Sequence, residues 1–189
     1  MYMKFLLVFF LLSPGALLAQ SALTESEIEG LLKVKIRLAK HMSYSPDIID
    51  AVKNQNSVSI AMSDIKKRDE LWTGDSNDSI ELKRSITDNN IAQYLKRRVQ
   101  NNDSIDEVFI TDNQGANVAA YPATSDYWQG DEEKWTASFN NGEGKVFIGP
   151  LEEDQSTNTA QVQISVPIFD QQQTIGVLVM GVSVDYLNR

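Results

Sequence analysis

The sequence is 189 residues long, carries 17 Lys and Arg against 26 Asp and Glu for a formal net charge of −9, and contains no cysteine. So acidic a chain lacks the basic face that nucleic acid or anionic lipid headgroups require, so neither is expected as a partner, and a cationic or amine-bearing ligand is favoured. Without cysteine there is no disulfide framework, no thiol chemistry and no lipid attachment through an N-terminal Cys.

Residues 1–19 read as a secretory signal peptide: Lys4 supplies a positive region, Phe5 to Leu12 an apolar core, Ser13-Pro14-Gly15 a break and Ala19 a small residue for cleavage. A spanning helix would need about 20 apolar residues; Pro14-Gly15 comes too early for that, and no later run is long enough. The expected product is a free periplasmic or secreted protein, with no insertion into the membrane after cleavage. Residues 20–189 then form a single domain, mainly helical over 20–105 and sheet with pocket loops over 106–187. Residues 20–98 are balanced, with 13 basic against 12 acidic side chains, whereas 99–189 carry 3 against 14 and hold nearly all the negative excess.

Thr24-x-x-Glu27 reads as a capping box. It opens a long amphipathic helix to Met42, with Ile28, Leu31, Leu32, Leu38, Ala39 and Met42 on its apolar stripe and Lys33, Lys35, Arg37 and Lys40 mostly off it. Ser45-Pro46 starts a second helix ending near Asn54, and Ser63 to Trp72 gives a third. Gly74 to Ser79 is a solvated loop. Its Asp75, Asn77 and Ser79 alternate as in a calcium loop, but Ile80 stands where such a loop needs glycine. A fourth helix is expected over Ile80 to Val99, with Asn89-Asn90 as a point of interruption.

At Asp106 the period changes to alternation. Val108 to Thr111 and Asn117 to Tyr121 form a hairpin around Asp112-Asn113-Gln114-Gly115. Ser125 to Trp135, SDYWQGDEEKW, then packs three aromatics and four carboxylates into eleven residues. Loops on a rigid scaffold are where binding residues concentrate, and rings beside aimed polar groups suit a small-molecule pocket, so this stretch is expected to form its lip. Asp131 is placed to cap a short helix running to Phe139. Strands follow at Lys145 to Ile148, Ala160 to Ile168 and Thr174 to Val184, with a polar excursion from Gly149 to Thr159. The fourth strand sets Ala160, Val162, Ile164 and Val166 against Gln161, Gln163 and Ser165. The fifth is apolar on both faces and so belongs in the middle of its sheet.

Helices followed by five antiparallel strands give an α+β domain: a long N-terminal helix and further helices packed on a five-stranded antiparallel sheet. EVFITDNQGANVA at 107–119, TSDYWQGDEEKW at 124–135, the strand from Gly144 to Gly149, Asp154 with Ser156, and ISVPIFD followed by IGVLVMGV at 164–182 resemble the extracytoplasmic Cache sensor domains, also called PDC and PAS-like domains. Asp69 and Trp72 in IKKRDELW also fit. The resemblance implies a long helix behind the sheet and, on the opposite face, loops and a short helix around a small ligand. It also implies a signalling partner: a membrane-bound histidine kinase, chemoreceptor or nucleotide-cyclase-type protein. Nothing after Leu187 reads as a membrane helix before Arg189, so a detached sensor reporting to a separate protein is expected.

The candidate ligand site comprises Tyr121, Asp126, Tyr127, Trp128, Asp131, Phe147 and Asp154. In Cache domains that bind amines an acid near Asp126 or Asp154 pairs with the ammonium, and Tyr121, Tyr127 and Phe147 offer ring faces that attract it. Trp128 and Trp135 have core packing as their alternative, and Asp131 reads first as a cap. Arg84, Arg97 and Arg98 are helix surface, and the tyrosine, arginine, tryptophan, tyrosine, aspartate signature of amino-acid-binding double Cache domains is not recognisable. A simple amine, an amino-acid-like molecule, a small acid or an unliganded module therefore stay open. Catalysis is not expected: His41 has no carboxylate within a turn, zinc lacks its usual ligands, and an Asp126–Asp131 pair acting on a glycoside is the weakest reading. No metal or cofactor is expected. The remaining class is a protein-interaction module with a vestigial pocket, in which the Thr24 to Met42 helix pairs with its copy to give a homodimer; core packing is preferred for its Ile28, Leu32 and Ala39 stripe.

Overall fold

A computed structural model describes residues 25–154 and 159–183. The leader, Thr24, Ser156 and the chain beyond Ser183 lie outside the described residues. Five helices come first: α1 (Glu25–Ser43), α2 (Pro46–Val58), α3 (Met62–Trp72), α4 (Asn77–Thr87) and α5 (Asn90–Gln100). Strands β1 (Ile105–Thr111) and β2 (Asn117–Tyr121), helix α6 (Glu133–Phe139), and strands β3 (Phe147–Asp154), β4 (Thr159–Asp170) and β5 (Gln173–Ser183) complete the order. The sheet is antiparallel throughout, in the order β2-β1-β5-β4-β3, with β5 at its centre. No helix among the described residues is long and apolar enough to cross a membrane.

The alternation of the strands divides the interior into two cores. Val108, Ile110, Ile164, Val166, Leu178 and Met180 face α1, α2 and α5, where Ala39, Met42, Ile48, Val52 and Leu95 close against them. Phe109, Ala120, Val177 and Val179 face the other way, towards Ile65 and Trp72 of α3, Ile86 of α4, and Trp135 and Phe139 of α6. Each layer thus buries one face of a strand that is apolar on both.

Several boundaries differ from the sequence expectation, each for a local reason. The expected fourth helix is two. Asn89 ends one and caps the next, its Oδ1 accepting from Ala92 N–H at 2.9 Å while its Nδ2 donates to Ser85 O and Val118 O. Helix α4 begins three residues before Ile80, because the Ser76 hydroxyl accepts from Ser79 N–H and draws Asn77 to Ser79 out of the solvated loop. Strand β3 continues through the expected excursion as far as Asp154; Pro150 is tolerated because β3 is an edge strand and its register slips between Ile148 and Leu151. Lys35 lies on the buried stripe of α1 rather than off it, since it stands four residues from both Leu31 and Ala39. It is 5% exposed, its Nζ donates to Asn102 Oδ1 at 2.7 Å, and burial lowers its pKa below the ordinary lysine value.

Candidate functional site

The lip from Ser125 to Trp135 is held at its first half by the β1–β2 turn. Asp112, 2% exposed, accepts from the backbone N–H groups of Gln114 and Ala116 through Oδ1 and from Gln55 Nε2 through Oδ2, which ties the turn to α2. Asn56 of the same helix accepts from Asn113 N–H and donates to Ile175 O. The lip lies across this turn: Asn117 N–H donates to Tyr127 O, Gln129 N–H to Gly115 O at 2.8 Å, and Trp128 Nε1 to Gln114 O at 2.7 Å. Gly130 has to be glycine here, because a Cβ on it would stand 2.5 Å from Trp128 Nε1 and 2.6 Å from Gln114 O. Asp69 of α3 accepts from Trp128 N–H at 2.8 Å.

These anchors decide what the aromatic residues do. Tyr127 is fully buried, packs against Trp72 with ring centroids 5.9 Å apart, and accepts from Arg68 at 3.3 Å; burial pushes its phenol up. Trp128 is half-buried, and Lys66 Nζ stands 3.1 Å from its ring centroid. Both rings hold the lip down, their backbone paired with the hairpin and their side chains turned towards α3; neither lines the cavity shared by Asp126 and Phe147, and Tyr127 instead lines a groove of about 450 Å³ between α2 and α4. Tyr121 is not brought to the cavity that Asp126 and Phe147 share. It lies on the opposite face of the sheet, packed with the α1, α2 and α5 core and bonded through its hydroxyl to Gln100. Asp131 is exposed and caps nothing: Glu132 occupies the cap position, its carbonyl accepting from Trp135 and Thr136 N–H groups, without a side-chain bond. The backbone of Asp154 pairs with Thr159 at the far end of β3 and β4; its side chain lies outside the described residues.

Asp126 and Phe147 do come together. They line a cavity of about 270 Å³ between the two ends of the lip and strands β3 and β4. Glu132, Glu133 and Lys134 close it from the start of α6, and Glu152 closes it from β3. Its floor is the inward face of β4, where Gln161 and Gln163 both donate through Nε2 to Glu107 Oε1, at 3.0 and 2.8 Å. Glu107 and Gln161 are each 2% exposed, and Gln161 Oε1 accepts no hydrogen bond. A buried amide oxygen without a donor is costly, by about 1–3 kcal/mol, and this one lies against Gly181 of β5, where it leaves no room for a Cβ. The sequence signal for this floor is the Gln161, Gln163, Ser165 face of an otherwise apolar strand. Glu132 and Glu133, at the start of α6, also serve as cavity wall.

A larger groove of about 750 Å³ separates α2 from α5 on the other face of the domain. Its walls mix Asp47 and Asp50 with Arg97 and several amides, and they converge on no one charge. His41 is exposed on the last turn of α1. Among the described residues no group of three His, Cys, Asp or Glu side chains is arranged to hold a metal ion.

No family model matches the sequence, and no curated protein matches it. Solved structures do share the fold. The sensor domain of the V. cholerae histidine kinase DctB superposes with a TM-score of 0.52 at 13% identity, over 84% of this chain and 51% of that one. The extracellular domain of the putative histidine kinase vpHK1S-Z8 superposes with a TM-score of 0.54 at 13% identity, over 90% of this chain and 58% of that one. The fold is therefore that of the Cache, or PDC, sensor domains, and the chain spans about half the length of the sensor domains it matches.

Proposed function

We propose that this chain is the ligand-binding part of an extracytoplasmic sensor, that it takes a small amine-bearing molecule into the cavity under the lip, and that it reports occupancy to a membrane signalling protein of the histidine kinase, chemoreceptor or nucleotide-cyclase type. The carrying observation is the convergence of Asp126, Glu132 and Glu133 from one side and Glu152 from the other on a space walled by Phe147. Carboxylates accept from an ammonium group, and a ring face attracts it. Binding would favour the arrangement with α6 closed on β3 and β4, and the partner would read that population.

A thermal-shift screen of the full chain against monoamines, diamines, quaternary amines, amino acids and short carboxylic acids tests this, since a ligand bound only by the folded state raises the melting temperature. An amine is expected to raise it. Asp126→Asn and Glu152→Gln should each weaken that amine by about tenfold, the value of one charged hydrogen bond. A shift produced by carboxylic acids alone, or an amine shift indifferent to both substitutions, would overturn the assignment.

A further inference from the structure

Lys134 is the one cation among the described residues lining this acidic cavity. It is the second residue of α6, and its Nζ stands 5.8 Å from the ring centroid of Phe109, a β1 side chain that is 1% exposed on the sheet face beneath the helix. Lys134 thus brings an alkylammonium near an aromatic ring in a cavity otherwise lined by Asp126, Glu132, Glu133 and Glu152, the chemistry an amine ligand would use. Here the chain supplies it from one of its own side chains. The hold is loose, because 5.8 Å is near the outer limit of about 6 Å for such attraction.

We propose that Lys134 is a tethered occupant of the cavity, which an incoming amine must displace, and that it thereby sets the concentration at which the site fills. This rests on the amine reading of the site. A tethered group competes at an effective concentration on the order of millimolar, so a free amine sees its affinity reduced by the fraction of molecules in which the lysine is seated. Displacement also gives the start of α6 two positions, lysine in and lysine out, which differ in what they show to a partner.

The test measures putrescine affinity by calorimetry on the full chain and on Lys134→Met, Lys134→Arg and Lys145→Met. Lys145 is exposed, does not line the cavity, and removes the same charge from the same part of the chain. Lys134→Met keeps the length of the side chain without its charge and is expected to bind at least fivefold tighter, with Lys134→Arg within about twofold of the parent and Lys145→Met unchanged. Equal tightening in Lys145→Met would overturn the proposal, leaving only overall charge. Unchanged or weaker binding in Lys134→Met would also overturn it while the amine site stands, provided Asp126→Asn still weakens the parent. If neither the parent nor a Lys134→Met protein with a normal melting transition binds putrescine or any amine of the screen, the amine reading fails and this proposal with it.

Discussion

Asp112 has a carboxylate 2% exposed with three donors on it, and burial outweighs those hydrogen bonds and raises its pKa above the ordinary value. The folded protein therefore holds the Asp112 proton more tightly than the unfolded chain does. The stabilisation from this site is complete below the unfolded carboxyl pKa of about 3.9 and is lost as pH rises through the folded one. Asp112→Asn should flatten that part of the stability curve above about pH 4, because Asn keeps the Oδ1 acceptor for Gln114 and Ala116 and cannot ionise. Urea titrations at several pH values measure it; parallel curves for the two proteins would mean that the group titrates alike in both states. The same residue shows what sequence conceals. DNQG read as a turn, but nothing in four residues indicates that Gln55, more than fifty positions earlier, supplies a donor to its carboxylate.

Elements were legible wherever a period and a cap agreed, and less so where tertiary contacts overrule a local signal. The apolar spacing ran smoothly from Ile80 to Val99, yet the chain bends at Asn89 because that side chain serves both helices and β2 at once. Asn89→Ala should cost about 1–2 kcal/mol for the lost cap, read as a drop in urea midpoint at constant slope; a loss below about 0.5 kcal/mol would mean that water replaces the cap. Gly149-Pro150 read as a strand end, and the edge position of β3 makes it a slipped register instead. At the lip, the density of rings and acids pointed to the right segment. It could not say which ring faces which way, because that follows from backbone pairing of Ala116 with Trp128. Tyr127 and Trp128 accordingly went to anchoring, while Asp126 remained on the cavity side.

At the scale of the molecule, β5 is the element both cores share. Leu178 is fully buried in the core beneath α1, α2 and α5, and its neighbours Val177 and Val179 are fully buried in the other. Leu178→Ala should cost about 2–5 kcal/mol and lower the melting transition as a single event; two separated transitions would mean that the layers fold independently. The position of β5 was evident from its sequence, since a run apolar on both faces has nowhere else to go. The faces assigned to β4 were evident too, although that its polar side forms the floor of a cavity follows only once β3 and α6 stand over it.

The crossing of the lip over the β1–β2 turn has a mechanical consequence. Gly115 and Gln114 fasten Trp128 and Gln129 from one side while Gln55 and Asn56 fasten the same turn to α2 from the other, so the turn works as a rivet through the edge of the domain. Beyond Gly130 no bond to this turn is made among the described residues, and there Glu132, Glu133 and Lys134 line the cavity. Any stroke made there bears on β3 and β4, and it reaches α1 through the strands against which that helix lies, bypassing the riveted corner.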